Sequence, residues 1–273
     1  RPVISQSGSL MENLSKWLDY ELQRVVHLCP AYFRDSWALL DKLKALDTLP
    51  DNAFIFTADA EAMYANIDTD HGLQTIQNWL HLHKKELSAD FDIAAVIRGL
   101  EIVMRNNVFE LGDTMWLQLC GTAMGTSVAC MYATIYYSYH KELALLGKSP
   151  SYRLLRYFRF IDDAITIMSA PDWFSAHQEF VTNMNSLGEP GRRLKWDATK
   201  PDRKVDFMDL TITIEPNGKI LTSTYQKLMN LYLPPHISAF SSPLSEHHLQ
   251  HPEMATPTKL IPRGFQVLCH SIL

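Results

Sequence analysis

Three carboxylates stand out for their surroundings. Asp59 ends the apolar run Phe54-Ile55-Phe56-Thr57-Ala58, and Asp162-Asp163 sits between Phe158-Arg159-Phe160-Ile161 and Ala164-Ile165-Thr166-Ile167-Met168. Adjacent carboxylates among hydrophobic residues repel each other and resist burial unless a cation or a solvated turn compensates. Either feature alone has a plain structural account, because Asp caps strand ends and makes tight turns well. Together, an Asp ending one strand and an Asp pair at a nearby hairpin tip could surround two hard divalent ions. Magnesium prefers oxygen ligands and accepts one or two carboxylates per ion, keeping waters and substrate phosphates. Two such ions roughly 3.5–4 Å apart clamp the attacking and leaving oxygens of a phosphoryl transfer. Alternation places Asp59 with Ile55 and Thr57, Asp163 with Ile165 and Ile167, and Asp162 with Ala164 and Thr166. On that basis Asp59 and Asp162 are expected to be the principal ligands, with Asp163 in support.

The elements that must position these groups follow from pattern. Ser9-Leu10-Met11-Glu12 reads as a capping box opening a helix through Leu14, Leu18, Leu22, Val25 and Val26, which Pro30 stops. A second helix is expected at about 36–46, then a buried strand from Phe54 to Asp59. Asp68 and Asp70 cap a helix running to about Lys85, and Ile93–Met104 reads as another. Residues 107–119 alternate around Gly112-Asp113 as a hairpin. A long helix is expected over 126–146, two strands flank Asp162-Asp163, and a helix spans Asp172 to about Leu187. The Gly188-Glu189-Pro190-Gly191 break precedes a hairpin of 205–214 and 220–225 around Pro216-Asn217-Gly218. Strands and helices do not alternate, so an α+β fold is expected, a small antiparallel sheet with helices packed on one face.

The 273 residues, 47% hydrophobic and 20% charged, are enough for a sizeable core. No apolar run approaches the roughly 20 residues of a membrane-spanning helix, and no membrane role is expected. The four cysteines, Cys29, Cys120, Cys130 and Cys269, lie far apart and read as reduced thiols of an intracellular protein. The net charge of −5 is unusual for a nucleic-acid binder, yet basic residues cluster locally. Arg192, Arg193, Lys195, Lys200, Arg203 and Lys204 form one group, and Arg153, Arg156 and Arg159 another. Such clusters can track a phosphate backbone on an acidic chain. The Pro-, His- and Ser-rich tail holds His247, His248 and His251, for which solvent exposure is a simpler account than metal binding.

Several segments together resemble the Penelope-like reverse transcriptases, relatives of the telomerase type. Phe56-Thr57-Ala58-Asp59-Ala60-Glu61-Ala62-Met63-Tyr64-Ala65-Asn66-Ile67 is similar to that family's first catalytic motif. Gln118-Leu119-Cys120-Gly121-Thr122-Ala123-Met124-Gly125-Thr126 resembles its second palm motif. Arg159-Phe160-Ile161-Asp162-Asp163 resembles the paired-Asp motif, and Val205-Asp206-Phe207-Met208-Asp209-Leu210 a later hairpin. The opening Arg1-Pro2-Val3-Ile4-Ser5 and the late Tyr232-Leu233-Pro234-Pro235-His236 also match landmarks. Each motif is weak singly, and six in the same order are strong.

The resemblance implies an RNA-directed DNA polymerase of a retroelement, probed by roles as follows. Asp59, Asp162 and Asp163 would hold two Mg²⁺ ions, or Mn²⁺ in their place, with the Ala60 carbonyl as an extra ligand. Tyr64 would stand against the sugar 2′ position and reject ribonucleotides. Arg1, Gly121, Met124, Gly125 and Thr126 would contact the incoming deoxynucleoside triphosphate, the glycines by close backbone approach. Lys195 would protonate the departing pyrophosphate. Phe207, Met208 and Asp209, with Arg192 and Arg193, would grip the primer. The implied domains are partial fingers (1–50), palm (51–230) and a tail leading toward a thumb (231–273). RNA template and DNA primer are the implied partners, and the nucleus the implied location. The sequence has no initiator Met, so it is expected to begin inside a longer protein, whose flanks would supply further fingers, thumb or endonuclease regions. Three rival readings remain: an RNA-dependent RNA polymerase, against which Tyr64 argues; a cellular reverse-transcriptase-like or telomerase-related protein, which only the flanks would discriminate; and a non-catalytic RNA-binding remnant, which would bind RNA without extending a primer.

Overall fold

The computed structural model describes residues 8–111, 113–122, 125–139, 151–186, 194–225 and the backbone of 265–268. Its centre is a four-stranded antiparallel sheet of order β4-β5-β1-β6, built from β1 (Ala53–Ala60), β4 (Arg153–Phe160), β5 (Asp163–Ser169) and β6 (Trp196–Ala198). Side chains alternate across this sheet, and both faces are covered. Phe54, Phe56 and Ala58 of β1, with Ala164 and Met168 of β5, join the larger core. That core is closed by α1 (Glu12–Gln23), α3 (Thr69–Leu82), α4 (Ile93–Arg105), α5 (Ala129–Tyr137) and α6 (Trp173–Ser186). Ile55, Ile165 and Ile167 point the other way, onto Phe33, Leu39 and Leu43 beside α2 (Ser36–Lys44) and onto Val205, Phe207, Ile212 and Ile214. Helices therefore cover one face, as expected, and the second face is covered too, by one helix and a further small sheet.

That further sheet is three-stranded: β7 (Lys204–Phe207), β8 (Leu210–Ile214) and β9 (Ile220–Thr224), all antiparallel. The sequence suggested one strand over 205–214. The chain instead turns at Met208-Asp209, with Met208 in the left-handed region (φ 53°), so Phe207 pairs with Leu210. A third sheet, β10-β3-β2, contains β2 (Val108–Leu111), β3 (Thr114–Gln118) and β10 (Phe265–Leu268), the last parallel to β3.

Local capping follows sequence chemistry at most starts. Asp68, Asp92 and Asp35 accept backbone N–H bonds at the beginnings of α3, α4 and α2. The capping box expected at Ser9 does not form. Helix α1 begins after Met11 without a side-chain cap, and Glu12 accepts instead from the Gly8 N–H at 2.5 Å. Helix α1 packs in the same core as α3, α4 and α5. Arg1, Met124, Arg192, Arg193, the expected break at 188–191 and the tail with His247, His248 and His251 lie outside the described residues, apart from the β10 backbone.

Candidate functional site

The carboxylates meet at one end of the central sheet. Asp59 pairs across the ladder with Asp163 of β5 on one side and with Asp197 of β6 on the other. Residues in register on adjacent strands share a face, and neighbouring strands lie about 4.8 Å apart. Asp163, Asp59 and Asp197 therefore make a short row of like charges at the exposed sheet end. Asp162 stands outside the ladder, as the second residue of the two-residue turn Ile161-Asp162 between Phe160 and Asp163. Alternation along β5 does not govern a turn residue, so the sequence-based ranking of the pair has no basis in this geometry. The Asp162 backbone carbonyl accepts from the Ala60 N–H at 2.9 Å, which ties the hairpin tip to the end of β1.

The turn itself is strained. Ile161 has φ 55°, and a β-branched residue in the left-handed region is uncommon. Its carbonyl accepts from Arg159 Nη1 at 2.8 Å, while Arg159 Nη2 donates to the Thr134 carbonyl of α5 at 2.8 Å. Arg159 is 2% exposed, so this arginine does not join Arg153 and Arg156 at the surface. The surface cluster suggested by sequence thus loses its third member to the interior. Strained backbone persists where surrounding contacts over-determine it, commonly beside functional groups.

Beyond Asp59 the chain leaves β1 through Ala62, also left-handed (φ 50°), into a 3-10 turn at Met63–Asn66. This turn packs under the segment before α5. The Tyr64 carbonyl accepts from the Thr122 N–H at 2.9 Å, and the Gly121 N–H donates to the Ile67 carbonyl at 2.8 Å. Gly121 has φ +80°, and a Cβ there would lie 2.7 Å from the Tyr64 carbonyl oxygen, so only glycine fits. The half-buried Tyr64 places its hydroxyl 3.3 Å from Cys130 Sγ. Burial, then the Cys130 contact and the nearby Asp162 charge, push that hydroxyl's pKa far up, so it stays protonated. Gly125 is half-buried and Thr126 buried, at the N-terminal approach to α5.

Lys195 lies at the β6 side. Its ammonium bonds Glu61 Oε1 at 2.6 Å, and its carbonyl accepts from the Glu61 N–H at 2.8 Å. The Glu61 hydrogen bond, helped by the charges of Glu61 and Asp197, raises the Lys195 pKa. In the β7–β8 hairpin, Phe207 is buried against Phe33, with centroids 6.2 Å apart. Its side chain anchors the hairpin and is not available to a primer, which is a correction to the sequence-based assignment; Met208 and Asp209 occupy the turn, Asp209 exposed. Sequence reasoning missed Asp197, Glu61 and Cys130, and took Arg159 for a surface charge. Trp196 and Ala198 bracket Asp197 with apolar residues, but three residues are too few to read as a strand.

Among the described residues, no three Asp, Glu, His or Cys side chains form a group closed enough to chelate an ion unaided. A magnesium site needs less, because waters and phosphates complete its shell. Asp59 and Asp163, opposite each other in the ladder, offer the all-oxygen donors that such an ion accepts, so this pair fits it.

The sequence matches no protein-family model and no curated protein. The fold, however, matches solved polymerases. Telomerase from Candida albicans, in complex with a TWJ fragment of telomeric RNA, is 16% identical with a TM-score of 0.52, the match covering 79% of this chain and 39% of that one. Apo telomerase from Candida Tropicalis truncated from its C-terminal domain is 15% identical at TM-score 0.52, covering 81% and 46%. The BmCPV RNA-dependent RNA polymerase at elongation state is 12% identical at TM-score 0.50, covering 77% and 20%. The chain spans less than half the length of each of these proteins. It has the α+β palm architecture of reverse-transcriptase-like polymerases.

Proposed function

We propose that this chain is the palm, with part of the fingers, of an RNA-directed DNA polymerase of the Penelope-like, telomerase-related kind, carried by a retroelement and acting in the nucleus. The observation that carries the reading is the meeting of Asp59 with Asp163 and Asp162 at one end of a palm sheet. Its substrates would be an RNA template, a DNA primer and deoxynucleoside triphosphates. No helix among the described residues is long and apolar enough to cross a membrane. Flanking sequence would supply further fingers, a thumb or an endonuclease.

Asp59, Asp162 and Asp163, with the Ala60 carbonyl, would hold two Mg²⁺ or Mn²⁺ ions. When bound, these would make the primer 3′-hydroxyl a better nucleophile and neutralise the triphosphate. The chain's own residues mainly position groups and shield charge, as in other phosphoryl transfers. Tyr64 stands beside Asp162 and would close off the space where a ribose 2′-hydroxyl would lie. Gly121, Gly125 and Thr126 give a backbone-lined floor for the incoming base pair. Lys195, kept protonated by Glu61, would give a proton to the departing pyrophosphate. Met208 and Asp209, at the tip of the β7–β8 hairpin, would lie along the primer.

The test is Mg²⁺-dependent extension of a DNA primer on an RNA template, with deoxy- and ribonucleotides compared. Asp59→Ala should abolish extension, and extension by that variant at the wild-type rate would sink the assignment. Preferential use of ribonucleotides would favour an RNA-dependent RNA polymerase, and salt-sensitive RNA binding without any extension would favour a non-catalytic remnant.

A further inference from the structure

Tyr64 is held from three directions by the segment that leads into α5 and by α5 itself. Its carbonyl is fixed by the Thr122 N–H at 2.9 Å, its backbone is backed by Gly121, and the preceding Met63 carbonyl accepts from the Tyr137 hydroxyl at 3.0 Å. These contacts fix where the ring begins. They leave open how it tilts about its own side-chain bonds. The ring packs against the main core, and at its far end the hydroxyl lies 3.3 Å from Cys130 Sγ. Cys130 lies on α5, which is tied down on either side of it: before the helix the Val128 N–H donates to Ser15 Oγ of α1 at 3.2 Å, and within it the Thr134 carbonyl accepts from Arg159. The thiol is thus a fixed point on a packed helix, and the ring spans from the turn after β1 to that point. Both residues are half-buried, and the Asp162 charge is close enough to act on the Tyr64 hydroxyl.

We propose that Cys130 is a positioning residue for sugar selection, its thiol setting the tilt of the Tyr64 ring that meets the 2′ position of the incoming nucleotide. This rests on the polymerase reading above. Sulfur suits the task because it is large, polarizable and only weakly hydrogen-bonding, so it orients the hydroxyl without gripping it. Burial keeps the hydroxyl protonated, which preserves the contact across the physiological range. A ring that loses this anchor can swing away from the sugar, and the space that excludes a 2′-hydroxyl widens.

The experiment compares kcat/KM for deoxy- and ribonucleotides in the full chain, with melting curves as a control for folding. Cys130→Ala should lower the preference for deoxynucleotides about two- to fivefold, the lower part of the range for a neutral hydrogen bond because sulfur is a weak partner. Cys130→Ser should restore most of it, because a hydroxyl can take the thiol's place. Tyr64→Phe should lower the preference by a similar factor, and adding Cys130→Ala to it should change nothing further, since both remove the same contact. A preference unchanged in Cys130→Ala, or two effects that simply multiply, overturns the role of Cys130 while leaving the polymerase reading intact. A wild-type protein, flanking regions included, that extends with neither kind of nucleotide overturns the reading and this role together.

Discussion

Replacing Arg159 tests how the hairpin tip is built. Its guanidinium is buried and donates to two carbonyls, those of Ile161 and Thr134, at 2.8 Å each. A hydrogen bond from a charged donor contributes about 1.5–3 kcal/mol, so two amount to about 3–6 kcal/mol. Arg159→Met keeps much of the aliphatic volume and removes a charge that was costly to bury, which offsets part of the loss. The expected net destabilisation is about 2–4 kcal/mol in urea melts, or roughly 4–16 °C in melting temperature at about 2–4 °C per kcal/mol. Arg159→Lys should fall between, because one ammonium cannot span two carbonyls as the planar fork does. The turn should also respond. Ile161 in its left-handed conformation costs about 1–3 kcal/mol and is held there partly by Arg159. Release lets the tip relax, so on the proposed polymerase reading the Mg²⁺ concentration for half-maximal primer extension should rise severalfold in Arg159→Met. A Met variant as stable as wild type, with an unchanged Mg²⁺ midpoint, would refute the account of the turn.

Gly121→Ala should destabilise by at least about 1–2 kcal/mol from its positive φ alone, with more from the approach of the new methyl to the Tyr64 carbonyl; urea denaturation measures it. Gly72→Ala should also destabilise, because a methyl there would collide with the Tyr132 hydroxyl, and Tyr132→Phe should partly rescue it. Glu61→Gln bears on Lys195, whose pKa is raised by that carboxylate. A raised folded pKa contributes stability below the unfolded value, lost as pH rises through the folded one, so Glu61→Gln should lose stability at neutral pH and converge on wild type in strong alkali. If Lys195 is the proton donor, the alkaline limb of the pH–rate profile for extension should move to lower pH in this variant.

Much of the central sheet was legible in the sequence because its signals are local. An apolar run ending in Asp59 and two runs joined by Asp162-Asp163 define three of its four strands, and the face shared by Asp59, Thr57 and Ile55 follows from the period of two alone. What was not legible depends on partners distant in the chain. Asp197 joins the carboxylate row only because β6, three residues long, pairs with β1 across more than a hundred residues. Arg159 reads as one of three surface arginines until the packing of α5 turns it inward. Phe207 belongs to a motif, yet Phe33 and Ile212 claim its side chain for the core. At Ser9 the local signal was present and lost, because the Glu12 carboxylate found the Gly8 N–H instead.

The row Asp163–Asp59–Asp197 exists only because three strand registers agree, and this constrains how such a chain can evolve. Inserting or deleting one residue within a strand moves every later side chain to the opposite face. In β1 that would turn the Asp59 position toward the core of Phe56 and Ala164, and in β5 it would turn Ile165 and Ile167 out of the face they share with Asp163. Descendants can therefore change composition widely around these strands but cannot change spacing, and gaps in future alignments should avoid 53–60, 153–169 and 196–198. Length should vary instead in connections such as 84–90, between α3 and α4, where most residues are exposed. The same stretch is where an inserted tag or reporter domain should leave the chemistry undisturbed.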